Sequence, residues 1–243
     1  MPAVRTVAVS TLTDLQRIDS CTVSNAIEHF RVRTRNEGFV SGSPRCMIPE
    51  LPPVIGYAVT AKVRTSSTPM AGRCYYDHID WWTYVHSAPG PQFVVIEDVD
   101  PAPGLGALFG DIHANIARAL GCVAYLTNGA IRDLPGSAAI GFQMFAGGVS
   151  VSHAYAHIVD YGKPVTIGGL TIAPGNLLHG DRHGVVSVPL EIAEQVPGVA
   201  KKIAEAERSL VGFCQSPDFS FDGLAARLRE ASEKSGVPDR DPR

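Results

Sequence analysis

The sequence predicts a mixed α/β domain in which a β-α-β unit feeds a β-rich core closed by C-terminal helices. Three observations predict it. Two short apolar runs, "FVVIED" (93–98) and "CVAYLT" (122–127), flank a segment with helical spacing, and such a crossover implies parallel strands. Residues 143–189 hold short strand patterns separated by Gly, Pro and Asn. Beyond residue 189 the apolar spacing is helical again. The expected organisation is one domain over residues 1–212 and a helical tail over residues 213–243.

Residues 13–30 read as a helix carrying Val23, Ala26 and Ile27, with Thr22 or Ser20 placed to cap it. Residues 31–53 are polar and Pro-rich and read as a long loop. "YAVTAKV" (57–63) alternates as a strand does, 65–74 reads as loop, and "YYDHIDWWTYVHS" (75–87) reads as a helix with an aromatic face. Trp81 and Trp82 are read there as packing residues. After the 93–98 strand, 99–110 is a Gly/Pro-rich loop. "DIHANIARAL" (111–120) places Ile112, Ile116 and Leu120 at helical spacing and ends at Gly121, a good helix stop. "QMFAGG", "AYAHIVDYG", "PVTIGG", "LTIAPGN" and "GVVSVP" follow as strands. Residues 189–212 read as a helix interrupted at Pro197, and 222–234 as one more amphipathic helix before a polar end.

Composition excludes several classes. The chain has 243 residues, is 45% hydrophobic and 19% charged, and carries a formal net charge of -3, so it lacks the basic footprint of a nucleic-acid binder. No apolar run reaches the length of a membrane span, and the N-terminus lacks the pattern of a secretory signal. Cys21, Cys46, Cys74, Cys122 and Cys214 form no CxxC or zinc-knuckle spacing, which fits a reduced, cytoplasmic setting. Cys122, inside a strand pattern, reads as a small buried hydrophobe.

The crossover brings one group of residues together. The first strand ends near Glu97, the helix starts at Asp111 on the same edge, and the second strand returns to that edge near Thr127. Arg132 and Asp133 therefore emerge beside the start of the Asp111 helix, where ligands of open α/β sheets bind. The amides of Asp111, Ile112 and His113 suit a carboxylate or phosphate. Arg132 suits bidentate recognition of a carboxylate or oxo group. Asp133 and Asp111 are hard oxygen ligands for Mg²⁺ or Mn²⁺. Two plain readings stand beside these: an exposed Arg-Asp pair, and a helix-start acid that favours the dipole. "GLGALFGD" matches neither a Walker A loop nor GxGxxG, which argues against nucleotide binding.

"ALFGDIHANIARALGCVAYLTNGAIRD" (107–133) resembles the signature of the RraA-like family, which includes 4-hydroxy-4-methyl-2-oxoglutarate aldolases with oxaloacetate decarboxylase activity and regulators of ribonuclease E. The resemblance extends to "PVTIGGLTIAPGNLLHGDRHGVVSVP" (164–189) and, more weakly, "CTVSNAI" (21–27). It implies a β/β/α swivelling-type fold assembled as a trimer or hexamer. It implies substrate contacts from Gly110, Asp111, Ile112, His113 and Arg132. It also implies a divalent metal on Asp133 with Asp111 nearby, and an acidic residue donated by a neighbouring subunit. The chain departs from the family at Asn128, at Gly175-Asn176, at Arg182 and His183, and through 149–162.

His153, His157, His179 and His183 fall in or near the departing regions. His179, Asp181 and His183 share one face if extended, which admits a metal site, an anion site or a pocket, or else surface histidines with local bonds. Two functions follow. The first is a metal-dependent lyase that cleaves a 4-hydroxy-2-oxo acid or decarboxylates oxaloacetate through a pyruvate enolate, with Arg132, Asp133 and Asp111 as its catalytic residues. The second is a non-enzymatic protein that binds a ribonuclease complex. Retention of an acid after Arg132 favours the enzyme.

Overall fold

The computed structural model describes residues 5–69 and 78–235. Its elements in chain order begin with α1 (Val9–Gln16), α2 (Ser20–His29), β1 (Arg45–Cys46), β2 (Val54–Arg64), α3 (His78–Ser87) and β3 (Gln92–Asp98). They continue with β4 (Ala107–Phe109), α4 (Asp111–Ala119), β5 (Cys122–Thr127), β6 (Ala130–Ile131), α5 (Leu134–Ala139), β7 (Gln143–Ala146) and β8 (Gly148–Val149). The last are β9 (His157–Tyr161), β10 (Val165–Ile167), β11 (Leu170–Ile172), β12 (Leu177–Asp181), β13 (Gly184–Val188), α6 (Val196–Cys214) and α7 (Phe221–Ser235).

The main sheet runs β1-β7-β5-β3-β2-β12-β13. Its centre is parallel: β2 with β3, β3 with β5, and β5 with β7. One edge of β2 is shared by two antiparallel strands, β12 along residues 54–57 and β9 along residues 61–64. Beyond the C-terminal ends of the central strands the chain breaks and re-forms as a small parallel sheet, β4-β6-β8. The breaks from β5 to β6 and from β7 to β8 are tied together by the Gly147 N–H on the Gly129 carbonyl, 2.9 Å.

The central strands are buried on both faces, which is why they read as unbroken apolar runs. Val94 and Ile96 pack with Trp81, Val85, Ala114 and Ala117 of the α3 and α4 layer. Phe93 and Val95 face the other way, against Ile167 and Ile172 of the β10–β11 hairpin. A third cluster joins Leu15, Val23 and Ile27 to Tyr57, Val188 and Val196, so α1, α2 and α6 cover the remaining face. Cys122 is buried as its strand pattern implied, and burial pushes its thiol pKa up to about 12.

Several elements differ from the sequence reading. The helix expected over 13–30 is two helices, because residues 17–19 are pinned. The cap of α2 is Asp19, whose carboxylate accepts the Thr22 N–H at 2.9 Å, rather than Ser20 or Thr22. The Ser20 N–H donates to the buried carboxylate of Asp181 at 2.9 Å. The fully buried His179 lies beside it, 3.0 Å from Ser20 Oγ and 3.1 Å from the Leu15 carbonyl. A carbonyl only accepts, so Nε2 carries the proton; burial favours the neutral ring, in which Nδ1 accepts from the Ser20 hydroxyl. The helix expected over 189–212 begins only at Val196 with Pro197 in its first turn, where a missing N–H does no harm, and it runs on to Cys214. The 212/213 boundary thus falls inside α6, and Phe213 meets Phe219 and Arg227 of the following segment. The 31–53 and 99–110 loops contain β1 and β4. The first residues of the 75–87 helix, Cys74 and the polar end beyond residue 235 lie outside the described residues.

His179 gives this arrangement a pH dependence. Burial lowers its pKa against opposing contributions from the Leu15 carbonyl and Asp181. The unfolded chain takes up a proton near the ordinary histidine value of about 6.5, whereas the folded protein resists it. The contribution of the neutral ring is complete above that value and is lost as pH falls toward the lowered folded-state pKa. Urea unfolding should therefore show stability declining below about pH 6.5, before the carboxylate range, and a shallower decline in His179→Gln.

Candidate active site

The residues expected to converge do so, and the small sheet is the reason. β4 and β6 run side by side with Phe109 opposite Ile131, and the Arg132 N–H donates to the Phe109 carbonyl at 3.1 Å. Gly110 to His113 therefore start α4 directly beside Arg132 and Asp133. Gly110 is extended (φ -143°, ψ -159°), so its backbone is open to any residue; the restriction is space. A Cβ on Gly110 would lie 2.5 Å from Asp133 Oδ2 and 2.9 Å from Arg132 Cγ. Asp133 itself is left-handed (φ 55°, ψ 40°), a conformation that Asp and Asn adopt more readily than other side-chain-bearing residues.

The second acid is held in the mirror of this contact. A Cβ on Gly136, in α5, would lie 2.9 Å from Asp111 Cβ. Each acid thus packs against a glycine of the other's segment, Asp133 on Gly110 and Asp111 on Gly136. α5 starts from the Asp133 carbonyl, which accepts the Gly136 N–H at 3.1 Å and the Ser137 N–H at 3.3 Å. Gly136 and α5 were not foreseen; the only hint was "LPG" straight after the Arg-Asp pair.

Arg132 Nε donates to Asp133 Oδ2 at 3.0 Å, with the two side chains 31% and 36% exposed. Burial works to raise the Asp133 pKa, but hydrogen bonds from Arg132 and from the Asp111 backbone N–H, together with the Arg132 charge, hold it below the ordinary carboxylate value. The Ile112 N–H donates to Asp111 Oδ1 at 2.7 Å. Two of the amides expected to cradle a ligand anion thus face carboxylates of the chain itself. The Ile112 side chain is exposed, and the His113 ring packs between Phe109 and Trp82, at centroid distances of 5.5 and 6.0 Å.

The base of the site is a polar clamp. Asn128 accepts the Asp98 N–H at 2.7 Å and donates to the Asp98 carbonyl at 2.9 Å, so its amide acts as a strand partner. The buried Asp98 carboxylate has its pKa raised by burial, despite bonds from the Gly104 and Asp100 N–H groups. Asn128, a departure from the family pattern, thus fixes the chain where β5 leaves the main sheet. The other departures are local as well. Asn176 accepts the Ala173 N–H in a turn, His153 Nδ1 lies 2.8 Å from the Ala107 carbonyl, and His157 Nδ1 lies 2.6 Å from the Tyr155 carbonyl. His179 and Asp181 share a face as expected, but they hold α1 and α2, and His183 lies in the turn beyond β12.

The chain belongs to the RraA-like family: the family's model, described as Aldolase/RraA, matches residues 20–187. A relative from Halalkalibacterium halodurans, provisionally named a 4-hydroxy-4-methyl-2-oxoglutarate aldolase, is 29% identical over 61% of this chain. The match spans 66% of that relative, just under two thirds of its length. The crystal structure of an uncharacterised protein from Pseudomonas syringae pv. tomato superposes with a TM-score of 0.73 at 20% identity, covering 94% of this chain and 97% of the other. Streptomyces coelicolor RraAS2, described as an unusual member of the RNase ES inhibitor RraA family, superposes with a TM-score of 0.65 at 20% identity, covering 84% and 96%. The fold is that of these structures. The family contains both aldolases and ribonuclease regulators. Among the described residues no helix is long and apolar enough to cross a membrane.

These contacts separate stability from function. Gly110→Ala forces Asp133 and Arg132 apart, and overpacking of this kind should destabilise the protein by about 1–3 kcal/mol. Asp133→Asn keeps a residue suited to the left-handed backbone and removes only a part-exposed charge, so its stability should stay within about 0.5 kcal/mol of the parent. Urea unfolding of the two variants checks both values.

Proposed function

We propose that the protein is a divalent-metal-dependent carbon–carbon lyase acting on a small 2-oxo acid, by retro-aldol cleavage of a 4-hydroxy-2-oxo acid, by decarboxylation of oxaloacetate, or both. The observation that carries this reading is the pair of acids, Asp133 and Asp111, each cleared by a glycine and set beside Arg132. Exposed ion pairs add little to stability, so folding alone gives no reason for two glycines to make room for these carboxylates. The donor set is hard oxygen, which fits Mg²⁺ or Mn²⁺ completed by water. When bound, the ion supplies Lewis-acid polarisation of the substrate's 2-oxo group.

The chain's own residues do the rest. Asp133, with its pKa held low, stays ionised at working pH and so remains a ligand rather than a proton donor. Arg132 uses Nε for Asp133, and its Nη groups are suited to grip the substrate carboxylate. Cleavage leaves negative charge on the former keto oxygen as a pyruvate enolate, and the fixed guanidinium stabilises that charge. A guanidinium offers donors and no acceptor, so the hydroxyl proton of a retro-aldol substrate is assigned to water. The Asp111, Ile112 and His113 segment forms the wall of the site. The alternative reading, a non-enzymatic protein that binds a ribonuclease complex, leaves the cleared carboxylate pair without a role.

The site lies at the protein surface beside apolar side chains. Leu105, Val149 and Val151 are 59%, 60% and 97% exposed. Ser150 joins them, bonding the Leu105 carbonyl at 3.1 Å through Oγ and the Ile131 carbonyl at 3.0 Å through its N–H. A second copy of the chain is the proposed cover, giving a trimer or hexamer that would complete the site. Sedimentation should show an oligomer at micromolar concentration, and a monomer there would count against this assembly.

Three substitutions test the chemistry. Asp133→Asn should abolish pyruvate formation while remaining folded. Arg132→Lys keeps the charge but loses the planar fork, so kcat/KM should fall about tenfold or more, with part of the loss in kcat. Arg132→Ala should be nearly inactive yet still bind metal. Normal turnover in Arg132→Ala would reduce the arginine to a surface charge.

A further inference from the structure

The opposite end of the main sheet carries a second cluster with different chemistry. β12 is antiparallel to β2, with Gly180 opposite Val54, so Asp181 and the β12–β13 turn lie beyond the N-terminal end of β2. Asp133 lies beyond the C-terminal ends of the parallel strands, and the two places share no residue. At the β12–β13 end, α2 begins against the turn. There a carboxylate oxygen of Asp19, the sulfur of Cys21 and a ring nitrogen of His183 all lie within 4.8 Å of one another. All three residues are exposed, so a cation can enter and keep water as a further ligand.

Two features make this more than a chance meeting of side chains. First, the donors are of three kinds, and they come from segments at opposite ends of the sequence that the fold brings together. Secondly, the histidine is oriented. Asp181, nearly fully buried, accepts the His183 backbone N–H at 2.8 Å and lies 3.1 Å from His183 Nδ1. Its other oxygen holds the Ser20 N–H at 2.9 Å. In the tautomer with the proton on Nδ1, this carboxylate orients the ring and Nε2 keeps the lone pair, the arrangement that supports histidine ligands of zinc. Asp19 keeps its cap role through the Thr22 N–H and hydroxyl and still has lone pairs to offer.

We propose that Asp19, Cys21 and His183 form a binding site for a borderline-soft divalent cation, Zn²⁺ by its donor set, which fastens the start of α2 to the β12–β13 turn. Thiolate and imidazole ligands select against Mg²⁺ and Ca²⁺. The site is distinct from the hard-oxygen pair at Asp133 and does not depend on the lyase reading.

The test is a Co²⁺ titration of metal-free protein in the Asp133→Asn background, which removes the other candidate metal position. The expected result is a cobalt–thiolate charge-transfer band that saturates at one equivalent per chain and is displaced by Zn²⁺. Cys21→Ser, a change at an exposed position, should lose the band, and His183→Gln should weaken cobalt binding by about tenfold or more. Zn²⁺ should raise Tm in the parent and fail to do so in Cys21→Ser, because a ligand of the folded state stabilises it by mass action. Absence of the band in the parent, or its persistence in Cys21→Ser, would overturn the proposal. Unchanged cobalt affinity in His183→Gln would remove the histidine from it.

Discussion

The close approach of the Asp133 carboxylate to Gly110 is the constraint on which the candidate active site depends. It requires a missing side chain at residue 110, a left-handed backbone at residue 133, and a parallel pairing of β4 with β6 that brings the two together. The small β4-β6-β8 sheet exists because the central strands break and resume, and those breaks are held by Asn128 on Asp98 and by Gly147 on Gly129. The site is therefore a consequence of how three parallel strands end. A change at any of these positions moves the carboxylate before it alters the core.

Much of this was legible in the sequence. The buried runs 93–98 and 122–127 with a helix between them fix a parallel crossover, and the crossover puts Asp111 at the same sheet edge as Arg132 and Asp133; the β4–β6 pairing that sets them side by side was not legible. What was hidden depends on contacts between distant segments. The break between α1 and α2 comes from His179 and Asp181, far along the chain, which bind Leu15 and Ser20. No local propensity at residues 17–19 announces it. The role of Gly136 was hidden for the same reason, since the contact that demands a glycine is with Asp111. Strand periodicity placed His179 and Asp181 on one face, yet it gave no sign that α2 would land on that face and bring Cys21 to His183.

The two ends of the sheet illustrate how donor chemistry divides one fold. At the C-terminal ends, carboxylates and an arginine form a part-exposed site suited to a hard cation and an anionic substrate. At the other end, a carboxylate, a thiol and an imidazole gather around a helix start. Membership of the RraA-like family fixes the architecture, and that family supports both catalysis and protein binding. The discrimination between them rests on individual residues, above all on the acid that follows Arg132.

The lyase reading is tested most directly by measuring pyruvate release from oxaloacetate and a panel of 4-hydroxy-2-oxo acids, with Mg²⁺ or Mn²⁺ and with a chelator. The account predicts enzyme-dependent pyruvate from at least one of these substrates, present with metal and abolished by the chelator. Pyruvate release no faster than in metal-containing buffer without protein, across the panel and with both metals, would contradict it.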